Sequence, residues 1–133
     1  MSQPVPSPTK IVDKTSTNIT TSYQFGPSEQ GLGVEYTRLL FDLLTIGGTS
    51  ITKLFLKVQA SLDGVTYYDI CSTNDSDVSD VGPEHQFTIA AGAHTQGSIV
   101  AEGSYPHYRV AYKTDAAGQA GEELLIYAQP RSN

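Results

Sequence analysis

Three histidines, one cysteine and one acidic loop hold most of the side chains of this 133-residue chain that could do chemistry. His85, His94 and His107 stand in separate segments, without the His-x-His or His-Glu-x-x-His spacing that places two imidazoles on one metal. They read as solvated loop histidines. Cys71 ends a strand pattern with no second thiol and no sequence neighbour to activate it, so it reads as a small buried hydrophobe. A single cysteine also excludes an internal disulfide framework. The run Asn74-Asp75-Ser76-Asp77-Val78-Ser79-Asp80 offers hard oxygen ligands at alternating positions, as a calcium loop does. It departs from the EF-hand pattern, with Asp80 where that motif has glycine and Gln86 at the final ligand position. The reading set beside calcium is a solvated loop whose Asp and Asn residues make turns. Gly31-x-Gly33 lacks a third glycine and opens no helix, and no Gly-x-Ser-x-Gly elbow is present. Two glycosylation sequons, at Asn18 and Asn74, carry no weight without a leader peptide. No catalytic, metal or cofactor residue is predicted.

Tyrosine is the unusual enrichment, with eight Tyr and four Phe but no Trp. Tyr67 and Tyr68 follow an Asp63-Gly64 turn, and Tyr105 and Tyr108 flank Pro106 and His107. Exposed together, they would form a platform to stack a sugar ring or anchor a protein interface. Core tyrosines whose hydroxyls reach the surface are the other reading.

The elements that must position these residues are strands. No window of eleven or more residues keeps apolar positions at helical spacing. Thr15 to Phe25 is rich in β-branched and aromatic residues and reads as a strand closed by Gly26-Pro27. Residues 34–45 carry apolar side chains on both parities, which predicts a segment covered on both faces. Lys53 to Leu62 alternates, Asp63-Gly64 supplies a two-residue type I′ turn, and Val65 to Ile70 returns, which predicts a hairpin. Leu54, Leu56, Val58 and Ala60 then face the core, and Lys53, Lys57, Gln59 and Ser61 face water or a partner. Phe55 lies on that polar side, shielded by lysine stems or part of a contact surface. Ser72 to Pro83 reads as a polar loop, and residues 86–90 and 98–101 as minor strands. His107 to Lys113 alternates with Tyr108, Val110 and Tyr112 inward, and Glu123 to Gln129 is predicted as its antiparallel neighbour. Eight or nine short strands fit an all-β fold, a single antiparallel β-sandwich with jelly-roll or Greek-key connections.

Eight Lys and Arg against fourteen Asp and Glu give a formal charge of −6, which repels a phosphate backbone and excludes nucleic acid as the expected partner. The longest apolar runs fall far short of the ~20 residues of a spanning helix, so no membrane partner is expected. The opening residues lack a basic start and an apolar stretch, so cytoplasmic synthesis without a signal peptide is the expectation. Residues 1–9, with Pro4, Pro6 and Pro8, favour extended polyproline II over helix or ladder. At about 3.1 Å per residue this arm reaches about 25 Å, enough to lie on a neighbouring subunit; a frayed terminus is the alternative. Residues 10–133 form the predicted sandwich domain.

The hairpin segment Phe55 to Ile70, with Val58-Gln59-Ala60-Ser61-Leu62-Asp63-Gly64-Val65-Thr66-Tyr67, resembles that of small β-sandwich virion proteins of tailed bacteriophages. Tyr108 to Thr114 and Leu125 to Ala128 resemble the same proteins, and together these stretches cover about a quarter of the chain. The resemblance implies a non-enzymatic head decoration or cement protein, clustered as homo-oligomers, with trimers favoured, on the capsid surface of the virion and bound to the major capsid protein. It transfers no functional residue. The partner-binding residues expected from the chain itself are Pro4, Pro6, Pro8, Phe55, Tyr67, Tyr68, Tyr105 and Tyr108. A carbohydrate-binding or receptor-contacting module and a neck or tail adaptor are the alternative functions.

Overall fold

A computed structural model describes residues 8–27, 29–30, 36–102 and 105–131. Alternation of branched and aromatic residues with polar ones builds two antiparallel sheets. The strands in chain order are β1 (Thr9–Thr15), β2 (Gln24–Phe25), β3 (Glu29–Gln30), β4 (Tyr36–Leu44), β5 (Lys53–Ser61) and β6 (Tyr68–Ile70). There follow β7 (Ser72–Asn74), β8 (Asp77–Gly82), β9 (His85–Thr88), β10 (His94–Glu102), β11 (His107–Thr114) and β12 (Glu123–Arg131). Sheet I has the order β1-β12-β4-β10-β7-β8. Sheet II has the order β2-β11-β5-β6, with β3 also on β11 and β9 also on β5. The β-sandwich expected from the sequence is therefore present, with twelve strands among the described residues rather than eight or nine, because short ladder pieces such as β2, β3, β7 and β8 form in segments expected as loop or as part of a longer strand.

Inward side chains of both sheets fill one core. Leu54, Leu56 and Val58 of β5 meet Leu39, Phe41 and Leu43 of β4 and Ile99 of β10, all at most 2% exposed. Phe41 and Phe87 pack edge to face at 4.7 Å between ring centroids. Gly97 makes room for that pair, because a Cβ there would lie 2.8 Å from Phe41 and 2.9 Å from Phe87. Leu54, Leu56, Val58, Ala60, Tyr108, Val110 and Tyr112 all face inward, as the alternation predicts.

Several local expectations are corrected. β11 and β12 are not neighbours: β11 pairs β5 in sheet II and β12 pairs β4 and β1 in sheet I. The connection is tied to both sheets, with Asp115 Oδ1 accepting from Thr52 N at 2.8 Å and Glu122 Oε2 accepting from Ile46 N at 3.3 Å. The segment 72–83 forms most of a β7–β8 hairpin rather than a loop, and the expected minor strand at 98–101 is the middle of the nine-residue β10. Within 15–25 only Thr15 and Gln24–Phe25 are ladder residues. The backbone between is drawn to the 115–122 connection, with Ser16 N donating to Glu122 O and Gly118 N to Ile19 O. On the outward parity of β4, Leu40, Asp42 and Leu44 are half-exposed, so among the described residues no second layer covers them. The Gly31-x-Gly33 loop and residues 1–7 lie outside the described residues; Pro8 is exposed and β1 begins at Thr9.

Candidate functional site

The β5–β6 hairpin forms in the expected place with a different turn. Ala60 pairs Tyr68 and Val58 pairs Ile70, which leaves residues 61–67 as a seven-residue connection. Gly64 alone in it is left-handed, at φ +78°, whereas a type I′ turn needs two such residues. The Asp63 carboxylate explains the wider loop. Its Oδ1 accepts from Val65 N at 2.8 Å, Thr66 N at 2.9 Å and Ser61 Oγ at 2.9 Å, and Gly64 N donates to Ser61 Oγ at 2.9 Å. The donors from Thr66, Val65 and Ser61 hold the Asp63 carboxyl down at about 2. This bracing leaves Leu62 77% and Val65 81% exposed, next to Tyr68 at 64%. Ser61, expected to face water, is buried by the same network.

The outward face of sheet II is an interleaved layer of rings and cations. The Arg109 guanidinium lies 4.0 Å from the Phe25 ring centroid and 4.1 Å from that of Tyr67. Lys57 and Lys113 approach the Tyr23 ring at 4.3 Å and 4.6 Å, and Lys113 also reaches Phe55 at 5.0 Å. Polar contacts fix the layer. Arg109 Nε donates to Gln59 Oε1 at 2.7 Å, Gln59 Nε2 to Asp69 Oδ1 at 2.8 Å, and Lys57 Nζ to Asp69 Oδ2 at 3.1 Å. Burial opposes ionisation of Asp69, and the Gln59 and Lys57 contacts outweigh it, so its carboxyl sits below the ordinary range. The Tyr23 hydroxyl meets the Glu84 carboxylate. Gln59, expected at the surface, is covered by these neighbours and is only 8% exposed.

Histidine 85 overturns its sequence reading. It is 1% exposed, with Nε2 2.8 Å from Ser72 Oγ and 3.0 Å from Ser72 O, and Nδ1 3.1 Å from Asp80 Oδ2. Ser72, His85 and Asp80 stand in the sequence of contacts of a nucleophile, base and carboxylate. Two observations make them structural. Ser72 is 2% exposed, and its carbonyl oxygen, which only accepts, requires a proton on the Nε2 that a general base would keep open. The network joins β9 of sheet II to β7 and β8 of sheet I. His85 is the largest influence holding the Asp80 carboxyl below the ordinary range; burial opposes it and Asn74 assists.

The acidic run makes turns and pairs. Asn74 Oδ1 accepts from Ser76 N at 3.0 Å, Asp77 Oδ1 accepts from Ser79 N at 3.1 Å, and Asp75 pairs Arg38 at 3.0 Å. Among the described residues no group of three or more His, Cys, Asp or Glu side chains is placed to hold a metal ion. His94 is exposed and bonds Asp42 Oδ1 at 2.8 Å, and His107 packs beside Gly64. Cys71 is exposed, against expectation, because it sits where the chain crosses from β6 in sheet II to β7 in sheet I.

The expected tyrosine platform divides. Tyr68 is exposed, Tyr67 is half-buried under Arg109, and Phe55 is half-buried against Lys113. Tyr108 is corrected to a core residue at 2% exposure, with its hydroxyl accepting from Tyr105 N at 3.0 Å. Tyr105 packs edge to face on it at 5.8 Å. Pro4 and Pro6 lie outside the described residues. Tyr23, Phe25, Lys57, Arg109 and Lys113 were not singled out as a site, although the shared outward parity of residues 55, 57 and 59 and of residues 109 and 113 was a usable signal.

On sheet I the outward groove is lined by Leu40, Asp42, Gln96, Ser98 and Tyr127. Gln96 Nε2 donates to Asp42 Oδ2 at 3.2 Å.

No known protein family and no curated protein matches the sequence. Among solved structures, the chain is similar to the SPBc2 prophage-derived protein YomS, with 12% identity over 96% of this chain and 98% of that one, at a TM-score of 0.46. It is also similar to part of a Clostridium thermocellum xylanase, the CBM22-1 and GH10 modules of Xyn10B complexed with xylohexaose. That match has 16% identity over 82% of this chain and 19% of that one, also at a TM-score of 0.46. At these values neither likeness assigns a function.

Proposed function

We propose that the chain is a non-enzymatic structural protein of a phage virion that decorates the capsid by binding the major capsid protein. The observation that carries this reading is the braced tip of the β5–β6 hairpin. Leu62 and Val65 are held out into solvent by a loop whose own carboxylate and hydroxyl fix the backbone. Exposed apolar side chains on an ordered loop suit docking, because little conformational entropy remains to be lost on binding. Many such contacts on a repeating shell add up through multivalency. The hairpin resemblance to virion proteins supports the same reading. A sugar-stacking role for sheet II is less well supported, because Arg109 already covers a face of both Phe25 and Tyr67.

The test uses capsids of the encoding phage prepared without this protein. Added wild-type chain is expected to bind in many copies per particle, and Leu62→Ser/Val65→Ser to bind at least roughly tenfold more weakly with an unchanged melting temperature. Absence of wild-type binding, or saturation at a few copies, overturns the decoration reading. Equal occupancy by the double variant overturns the role of the tip.

A further inference from the structure

The two outward faces of the sandwich carry opposite charge. On sheet I, Arg38 is neutralised by Asp75, and Lys10 and Asp13 of β1, opposite Tyr127 and Leu125, neutralise each other, which leaves Asp42 and Glu123 as the unneutralised acidic groups beside outward Leu40, Leu125 and Tyr127. Glu123 has no ion-pair partner among the described residues, and Asp42 has only His94. On sheet II, Lys57 is neutralised by Asp69 and Glu84 meets the Tyr23 hydroxyl, while Arg109 and Lys113 have no carboxylate ion-pair partner among the described residues and Lys53 is exposed on the same parity, so cations outnumber acids on this face. Both cations are fixed by aromatic rings.

We propose that the partner of the sheet I face is the sheet II face of a second copy of this chain, stacked head to tail. This goes beyond the capsid reading and does not depend on it. A half-exposed leucine and tyrosine band on central strands departs from the polar outward face of a solvated antiparallel sheet. Pairing two sheet I faces would oppose Asp42 and Glu123 to their own copies, and pairing two sheet II faces would oppose the cations. The mixed pairing alone sets opposite signs together. β5 and β11 run about 30 Å and the strands beside them are shorter, so ladder positions about 4.8 Å apart give sheet II a footprint of roughly 450 Å². Two such faces together come to about 900 Å², the size of a weak, reversible interface. A head-to-tail contact of this kind closes into a ring or extends as a stack.

Sedimentation over a concentration series, with carbodiimide cross-linking read by mass spectrometry, tests it. Wild-type chain is expected to associate and to form cross-links from Asp42 or Glu123 to Lys57 or Lys113. Within one copy those groups lie on opposite sides of a sandwich whose sheets are about 10 Å apart, so such links join two copies. Glu123→Lys and Lys113→Glu are each expected to weaken association roughly tenfold or more, and the chain carrying both to recover it. The cross-links require no variant, so they decide the matter even where Lys113→Glu fails to fold. A monomer at millimolar concentration, cross-links from one sheet I face to another, or no recovery by a folded double variant overturns the proposal.

Discussion

Sheet I and sheet II obey the same alternation rule and finish their outward faces in opposite ways. On sheet II, every prominent outward group has a partner within the chain: Arg109 lies between two rings, Tyr23 between two lysines, and Gln59 links Arg109 to Asp69. On sheet I, Leu40, Leu125 and Tyr127 stand half-exposed around Asp42 with no comparable layer over them. Inward parity determines the fold, and both sheets meet that demand equally. Outward parity is free to vary, and the difference between the faces is where a function other than folding can be written.

The largest expected effect comes from the network that joins the sheets, since loosening it removes the frame for both faces. His85→Ala leaves Ser72 and Asp80 without their shared partner and opens space at a site 1% exposed. Its expected cost is about 2–4 kcal/mol, read from the urea midpoint at constant slope. A loss under about 0.5 kcal/mol would mean that the imidazole does not hold β9 to the β7–β8 hairpin. Next comes sheet II alone. Arg109→Ala removes two ring contacts and the bond to Gln59, and should cost about 1–3 kcal/mol. An unchanged midpoint there would dissolve the distinction between a satisfied and an unsatisfied face.

A smaller effect is confined to the loop at the end of sheet II. The Asp63 carboxyl titrates at about 2 in the folded chain, below its ordinary 3.8. A depressed carboxylate stabilises above its unfolded value, and that contribution is lost as pH falls through the folded one. The amides of Val65 and Thr66 should therefore keep their protection at pH 5 and lose it between about pH 4 and 2. A carboxyl carbon of Asp63 titrating near 4 by NMR would show that the tip is not braced.

How much of this was readable from sequence follows the range of the interactions. Leu54, Leu56, Val58, Val110 and Tyr112 are assigned by period-two alternation alone, a local property. His85 was not, because its partners Ser72 and Asp80 stand in sheet I and meet it only where the chain crosses to sheet II between β8 and β9. Cys71 failed for the same reason: burial at a crossing depends on which sheet each flank joins. Asp63-Gly64 located the hairpin correctly but not the turn, since the competing side-chain bonds of Asp63 and Ser61 outweigh the two-residue preference. The sheet II layer lay between these cases. Phe55 and Tyr67 were visible, whereas Phe25 sits on a short edge strand, with Tyr23 just before it, placed against β11 only by tertiary pairing.

The smallest expected effect is the most discriminating. Leu125 points outward on β12, opposite Asp42 on β4, and Leu125→Thr puts a β-branched side chain suited to a strand there while removing apolar surface from the sheet I face. Within a single copy nothing packs over that position comparably to the sheet II layer, so the stability of dilute chain should shift by no more than about 0.5 kcal/mol. At high concentration the same variant should lose any increase in melting temperature that the wild type shows with concentration, because mass action stabilises only what associates. A loss of about 2 kcal/mol in dilute solution would place Leu125 under cover within its own chain, and the two faces would then be alike.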